Sequence, residues 1–381
     1  MAMLPTAYSR SMSLAAVLSS CFAALDRGEP QLPLEPVDGA VVVLADGLGA
    51  LPLKARAGHA RTIAPRLNKT TTIESGFPTT TAAALATLCT GAYPGQHGIT
   101  AYEAVDPSTD RVFNHLSGWK TDPDPAVWQR LPTLFERYAG SGIRSYLVGQ
   151  ARYADTRLTQ AVHRGAEYVS AKSISDRMSA AVSLARQGRA LVFVYVPELD
   201  MAAHATGWQS PEWTNALEEL DAGMAELERG LGRTRGALLT ADHGMVDVQP
   251  SGRLFFDQEA ELIAGVRHVA GDYRCVQLHL EPGASDGDIQ GLARAWQAAE
   301  GERAWIATRD QAVAAGWFGP NGVDDDVLPR LGHVFVAARA QVAYYDGRTA
   351  AERAVAMVGQ HGSFSADELN VPLIGFGAFA A

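Results

Sequence analysis

An α/β fold with a mostly parallel central sheet flanked by helices is predicted by three features of the sequence. Apolar, β-branched runs alternate with helical patterns up to about residue 250. Three of those runs are followed closely by an aspartate, Asp46, Asp200 and Asp242, and open α/β sheets collect their ligands at the carboxyl edge. The chain has 381 residues, 47% of them apolar, which suffices for a large core and argues against disorder.

Taken in order, residues 12–25 form an apolar stretch with Leu14, Val17, Leu18, Cys21, Phe22 and Leu25 at helical spacing. This predicts an amphipathic helix packing on the core, within an N-terminal segment 1–35. The competing reading is export: Arg10 precedes the stretch, and Leu18-Ser19-Ser20-Cys21 resembles a lipoprotein cleavage site. The run is short and broken by serines, which favours the helix and a cytoplasmic protein, with an exported lipoprotein anchored through Cys21 as the alternative. Cys21, Cys89 and Cys275 are odd in number and unpaired in spacing, so neither a disulfide framework nor a cysteine-rich zinc site is expected.

Buried strands are predicted at 41–45, 143–149, Ala190–Val196 and 236–240, and helices at 131–139, 174–186 and 214–231. Beyond 250 the pattern changes: strand 273–280, helix 287–300, strand Ala304–Thr308, a loop rich in Gly and Asp, then 334–338 and 341–345 as a hairpin or paired edge strands. We therefore expect a core of 36–249 and 351–381, with 250–350 as a small α+β insertion or cap. Asp324-Asp325-Asp326 lacks the spaced ligands of an EF-hand and reads as a solvated loop. The net charge of −10 gives no nucleic-acid footprint, and no run approaches a membrane span.

The chemistry gathers in a few motifs. Gly76-Phe77-Pro78-Thr79-Thr80-Thr81 enters a short apolar helix closed by Gly91, so its hydroxyls lie at a helix N-terminus, where free N–H groups attract phosphate. Threonine is also an ordinary N-cap residue. Asp46 opens a Gly-Leu-Gly turn that lacks the third glycine of a dinucleotide site. Asp200 and His204 stand four apart, on one face of a helical turn. Asp242 and His243 are adjacent and need an irregular turn, which Gly244 permits. His361 sits between Gln360 and Gly362. Hydroxyl, carboxylates and imidazoles together suit two-metal phosphoryl transfer. The nucleophile elbow of serine hydrolases, the P-loop and the zinc-protease helix are absent from the sequence.

These motifs, in this order, resemble the alkaline phosphatase superfamily and, within it, the nucleotide pyrophosphatase/phosphodiesterase branch. The resemblance runs from about Val41 to Leu373. The tail Thr90-Gly91-Ala92-Tyr93-Pro94-Gly95-Gln96-His97-Gly98 picks Thr81, rather than Thr79 or Thr80, as the nucleophile, with His97 as scaffold. By the same matching, Asp46, Thr81, Asp242 and His243 would surround one divalent metal, and Asp200, His204 and His361 would hold the other. Mixed Asp and His donors favour zinc, with manganese second.

The implied activity is hydrolysis of small phosphate esters or anhydrides, a phosphodiesterase or nucleotide pyrophosphatase working through a phosphothreonine. A phosphomonoesterase, a phosphonate hydrolase and a phosphomutase are the alternatives within the superfamily. A non-catalytic metal-binding protein is the alternative outside it. Two positions depart from the family: Ala82 stands where an aromatic often stacks a nucleobase, and Ala84 where an Asn contacts phosphate. Trp119, Tyr102 and Trp208 are candidates for a substitute wall.

Overall fold

The computed structural model describes residues 3–6, 8, 12–119 and 123–380; Arg10, the basic residue of the export reading, lies outside them. A seven-stranded sheet forms the centre. Its strands run in the order Thr72–Glu74, Asn370–Gly377, Arg235–Thr240, Gly39–Ala45, Ala190–Val196, Arg144–Gly149, Glu167–Ser170. The five strands from Arg235–Thr240 to Glu167–Ser170 are mutually parallel, and Asn370–Gly377 pairs antiparallel to Arg235–Thr240.

Gly39–Ala45 is buried at every position, as a strand must be when helices cover both faces of its sheet. Helices Ile174–Ala185 and Pro211–Leu231 pack on each other, and the first also packs on Ala190–Val196. Helix Ala15–Asp26 packs against Thr81–Thr90 and against Gly39–Ala45. Its apolar stripe, including Cys21, is buried in the main core, and Phe22 stacks on Tyr138 at 4.3 Å.

A second sheet is antiparallel and six-stranded: Ala304–Thr308, Val334–Ala338, Cys275–Leu280, Val266–Asp272, Glu103–Asp106, Arg111–Asn114. Its last two strands come from outside 250–350, so residues 250–350 share their sheet with a hairpin of the preceding chain. The expected pairing of 334–338 with 341–345 is corrected. Val334–Ala338 lies between Cys275–Leu280 and Ala304–Thr308, whereas Ala343–Tyr345 pairs in parallel with Arg253–Phe255. A hairpin partner is excluded because both edges of Val334–Ala338 are already occupied.

One buried ion pair joins this sheet to the core. Arg274 donates to Glu368 at 2.8 and 2.9 Å and to the carbonyls of Ala340 and Val342. Glu368 in turn accepts from the backbone of Ser363, two residues past His361. Asp324 and Asp326 are ion-paired to Arg130.

Candidate active site

The carboxyl ends of three neighbouring strands deliver the site. Asp46 follows Gly39–Ala45, Asp242 follows Arg235–Thr240, and Asp200 and His204 lie on helix Glu198–Thr206 just beyond Ala190–Val196. His361 arrives by a different route. The two-residue strand Gly359–Gln360 pairs antiparallel with Val246–Asp247, which sets His361 beside His243, with ring centroids 3.6 Å apart.

Two glycines make the approach possible. Gly47 has φ +73, and a Cβ there would lie 3.0 Å from Asp200 Cα. At Gly244 a Cβ would lie 1.9 Å from the Asp367 carbonyl oxygen, so this glycine serves close packing rather than a left-handed turn.

The three threonines divide their tasks. Thr79 Oγ1 donates to the Ser363 carbonyl and accepts from Gly362 N–H. Thr80 is the N-cap of helix Thr81–Thr90 but does not cap it through its side chain, leaving first-turn N–H groups without that partner. Thr81 Oγ1 lies 3.2 Å from His243 Nε2, inside the cluster. His97 is scaffold: its Nδ1 accepts from Ile99 N–H, and its Nε2 lies 3.0 Å from Thr87 Oγ1.

The imidazoles share one arrangement. Nδ1 of His204, His243 and His361 faces the carbonyl of Gly359, Gly244 and Thr79, at 2.8, 3.0 and 2.8 Å. A proton on Nδ1 satisfies each carbonyl and leaves the Nε2 lone pair free, which is how ligating histidines are normally held. Asp46 Oδ2 accepts from the Tyr195 hydroxyl, and Asp242 Oδ1 accepts from the N–H groups of Gly47 and His243. By contrast, Asp46 Oδ1, Asp200 Oδ1 and Asp242 Oδ2 are buried without a hydrogen bond. Buried carboxylate oxygens without hydrogen bonds are costly, and these face imidazole nitrogens: Asp200 Oδ1 lies 3.2 Å from His204 Nε2, and Asp46 Oδ1 and Asp242 Oδ2 lie 3.5 and 3.6 Å from His243 Nε2.

Two donor groups result. Atoms of Asp200, His204 and His361 lie within 4.8 Å of one another, as do those of Asp46, Asp200 and His243. Asp242 Oδ2 stands 3.6 Å from His243 Nε2. All seven predicted residues therefore meet in one cluster, with Asp200 common to both groups. The donor set of carboxylate oxygen and imidazole nitrogen fits divalent cations of the zinc or manganese type.

The electrostatics agree. Burial, reinforced by the charges of Asp242 and Asp200, pushes the Asp46 carboxyl well above its ordinary value. Burial pushes Asp200 upward, but His204, His243 and His361 together outweigh that and hold the carboxyl below the ordinary range. His361 is pushed well down by burial and by His243 and His204. Such crowding of carboxylates is relieved by bound cations.

A cavity of about 150 Å³ opens beside Thr81 and Asp46. Tyr153, Tyr168 and Tyr195 line it together with apolar side chains such as Leu147 and Leu158, and among the described residues no Lys or Arg lines it. Trp119, Tyr102 and Trp208 are not among them either. Trp119 packs with Phe113 and His115, Trp208 lies against Trp213, and the Tyr102 backbone N–H donates to Asp272. The aromatic wall comes instead from Tyr153, Tyr168 and Tyr195. Arg274, buried against Glu368, is likewise outside the cavity lining.

Comparison with known proteins shows the family and the fold. The chain matches the family model of type I phosphodiesterase / nucleotide pyrophosphatase over residues 40–364. It is 26% identical over 202 residues to an uncharacterized pyrophosphatase/phosphodiesterase of Schizosaccharomyces pombe, covering 49% of this chain and 40% of that protein. It is 24% identical over 208 residues to ectonucleotide pyrophosphatase/phosphodiesterase 1 of Saccharomyces cerevisiae, covering 45% and 28%. The matches thus span less than half the length of these curated relatives.

Among solved structures, murine ectonucleotide pyrophosphatase/phosphodiesterase 5, as an inactive variant in complex with AMP, superimposes with a TM-score of 0.67 at 17% identity, covering 90% of this chain and 88% of that one. Phosphonoacetate hydrolase from Sinorhizobium meliloti, in complex with phosphonoacetate, gives 0.67 at 18%, covering 91% of each. The chain belongs to the type I phosphodiesterase / nucleotide pyrophosphatase family, in the alkaline phosphatase superfamily.

Proposed function

We propose that this protein hydrolyses phosphodiesters and phosphoanhydrides in preference to phosphomonoesters, with Thr81 as the nucleophile. The observation that carries the reading is the cluster of buried, unbonded carboxylate oxygens facing three imidazole Nε2 atoms, with the Thr81 hydroxyl in its midst. Asp46, Asp242 and His243 with Thr81 would hold one divalent ion, and Asp200, His204 and His361 the other. When bound, such ions supply Lewis-acid charge neutralisation of the phosphate and lower the pKa of an oxygen nucleophile.

The residues do the rest. Thr81 sits at the start of its helix, so its Oγ1 is held at the site by regular backbone structure, and the adjacent first-turn N–H groups offer donors to a phosphate oxygen. Attack of Oγ1 on phosphorus expels one ester or anhydride oxygen, which takes up the hydroxyl proton, and leaves the phosphoryl group with its remaining ester arm on Thr81; water then cleaves the bond between Thr81 Oγ1 and phosphorus and restores the hydroxyl. Tyr195 fixes Asp46, and the carbonyls of Gly359, Gly244 and Thr79 fix the imidazoles, so the constellation is organised before substrate arrives.

A diester brings one negative charge and a monoester two. A monoesterase site ordinarily adds a cationic side chain, and among the described residues no Lys or Arg lines the cavity at Thr81. Zinc is the expected ion and manganese the second choice; we place the protein in the cytoplasm, with export through Cys21 as the alternative. Among the described residues no helix is long and apolar enough to cross a membrane.

Metal content tests the proposal. Chelation should abolish turnover, and zinc or manganese should restore it better than magnesium, which prefers all-oxygen octahedra. His361→Ala should lower both bound metal and rate. An active preparation free of divalent metal by elemental analysis would contradict the mechanism.

A further inference from the structure

The loop that carries His361 is gripped by the tip of a hairpin belonging to the second sheet. Strands Val266–Asp272 and Cys275–Leu280 pair with Asp272 opposite Cys275, so Tyr273 and Arg274 make a two-residue turn. Three consecutive tip residues are each tied to a neighbour of His361. Before it, Gln360 Nε2 donates to the Tyr345 hydroxyl at 3.2 Å, and the Tyr345 ring stacks on Tyr273 at 4.9 Å. Two residues after it, the Ser363 N–H donates to Glu368, which Arg274 holds. Asp272 makes the contact in between, and makes it without an intermediary. A Cβ at Gly362, where φ is +130, would lie 2.4 Å from Asp272 Cβ, so the backbone of the loop rests directly on this side chain.

Asp272 is itself fixed. It is 7% exposed, and its Oδ2 accepts from the Tyr102 N–H at 3.3 Å. The strand pairing of Gly359–Gln360 with Val246–Asp247 ends before His361, so beyond that point the loop depends on side-chain contacts. A shift there reaches the nucleophile's segment as well, because the Gly362 N–H donates to Thr79 Oγ1 and His361 Nδ1 faces the Thr79 carbonyl.

We infer that Asp272 is a positioning residue: by abutting Gly362 it sets the His361 imidazole toward Asp200 and His204, so the second sheet governs the occupancy of one metal position and spares the other. The inference rests on the reading of these side chains as metal ligands. The donor group of Asp200, His204 and His361 shares only Asp200 with the group of Asp46, Asp200 and His243, so a displaced His361 weakens the first group alone.

Zinc titration of the metal-free protein against a competing chelator, with no substrate present, tests this. The wild type should bind two ions. Asp272→Ala should weaken one binding step by about 10- to 100-fold, the usual cost of removing a partner that orients a ligand, and leave the other near its wild-type value. Asp272→Asn, which keeps the volume and an acceptor for the Tyr102 N–H, should bind zinc like the wild type. Unchanged affinities in Asp272→Ala, equal weakening of both steps, or Asn behaving like Ala would overturn the inference. If Asp272→Ala does not fold, hydrogen exchange on the wild type decides. Coupling is reciprocal, so zinc should slow exchange of the Tyr102 amide along with that of Gly362, and an unaltered Tyr102 amide overturns the inference. A wild type that binds fewer than two zinc ions would instead overturn the two-metal reading, and this inference with it.

Discussion

At the scale of single residues, Thr81 is set apart by what its neighbours are doing. The Thr79 hydroxyl is bonded to Gly362 and Ser363, just past His361, and Thr80 ends an extended segment as N-cap. Thr81 alone of the three places its hydroxyl against His243. Thr81→Ala should therefore lower turnover by at least about 10³-fold, as expected when a covalent nucleophile is lost, while bound metal stays near wild type because the Asp and His donors remain. Thr81→Ser should keep partial activity. Acid quench during diester turnover followed by peptide mass spectrometry should find the phosphoryl group with its remaining ester arm on Thr81. The same adduct on Thr79 or Thr80, or full activity in Thr81→Ala, would move the nucleophile. The aspartates were legible in the sequence because each follows a buried apolar run. His361 was legible only through family resemblance, since two residues of strand give no periodic signal. His163 and Tyr195 were not legible as cavity residues, because the cavity walls come from segments distant in sequence.

At the scale of elements, the Arg274–Glu368 pair decides how the second sheet is held to the site. Both side chains are fully buried, and Glu368 also accepts from Ser365 and Ser363. Its backbone carbonyl accepts from Gly244, next to His243. Arg274→Ala leaves a buried carboxylate without its cation, a loss of about 3–5 kcal/mol. Urea unfolding should show that decrease, with activity falling because the His243 and His361 segments share the same anchor. A change below about 1 kcal/mol would show that the pair is not the clasp described. Four of the five parallel strands were readable from their apolar runs, and their ends moved by only a residue or two; Glu167–Ser170, an edge strand of four residues exposed at both ends, was missed. Asn370–Gly377 escaped notice because Pro372, Gly375 and Gly377 interrupt its apolar residues and depress strand propensity; antiparallel pairing to Arg235–Thr240 overrides that. The partner of Ala343–Tyr345 was misjudged because chain proximity suggested a hairpin where the preceding strand had no free edge.

At the scale of the whole molecule, burial of neutral histidines ties stability to pH. Burial pushes His97 down to about 3, His115 to about 4 and His279 to about 3. The unfolded chain binds protons at these positions near pH 6.5 while the folded chain does not, so their stabilisation is complete above that pH and is lost as pH falls toward 3–4. Each contributes a slope of up to about 1.4 kcal/mol per pH unit in that window. Unfolding free energy should decline from pH 6.5 to 5, and His279→Gln, far from the metal ligands in sequence, should reduce the slope by about that amount. Identical slopes for variant and wild type would contradict the linkage.

The arrangement of the whole site makes one demand on the substrate: two groups of candidate metal ligands and, among the described residues, no cationic side chain in the cavity lining would suit a singly charged phosphate. Turnover of bis-p-nitrophenyl phosphate and of p-nitrophenyl phosphate at equal metal loading measures this directly. A higher kcat/KM for the diester is predicted, and a clear preference for the monoester would contradict the assignment.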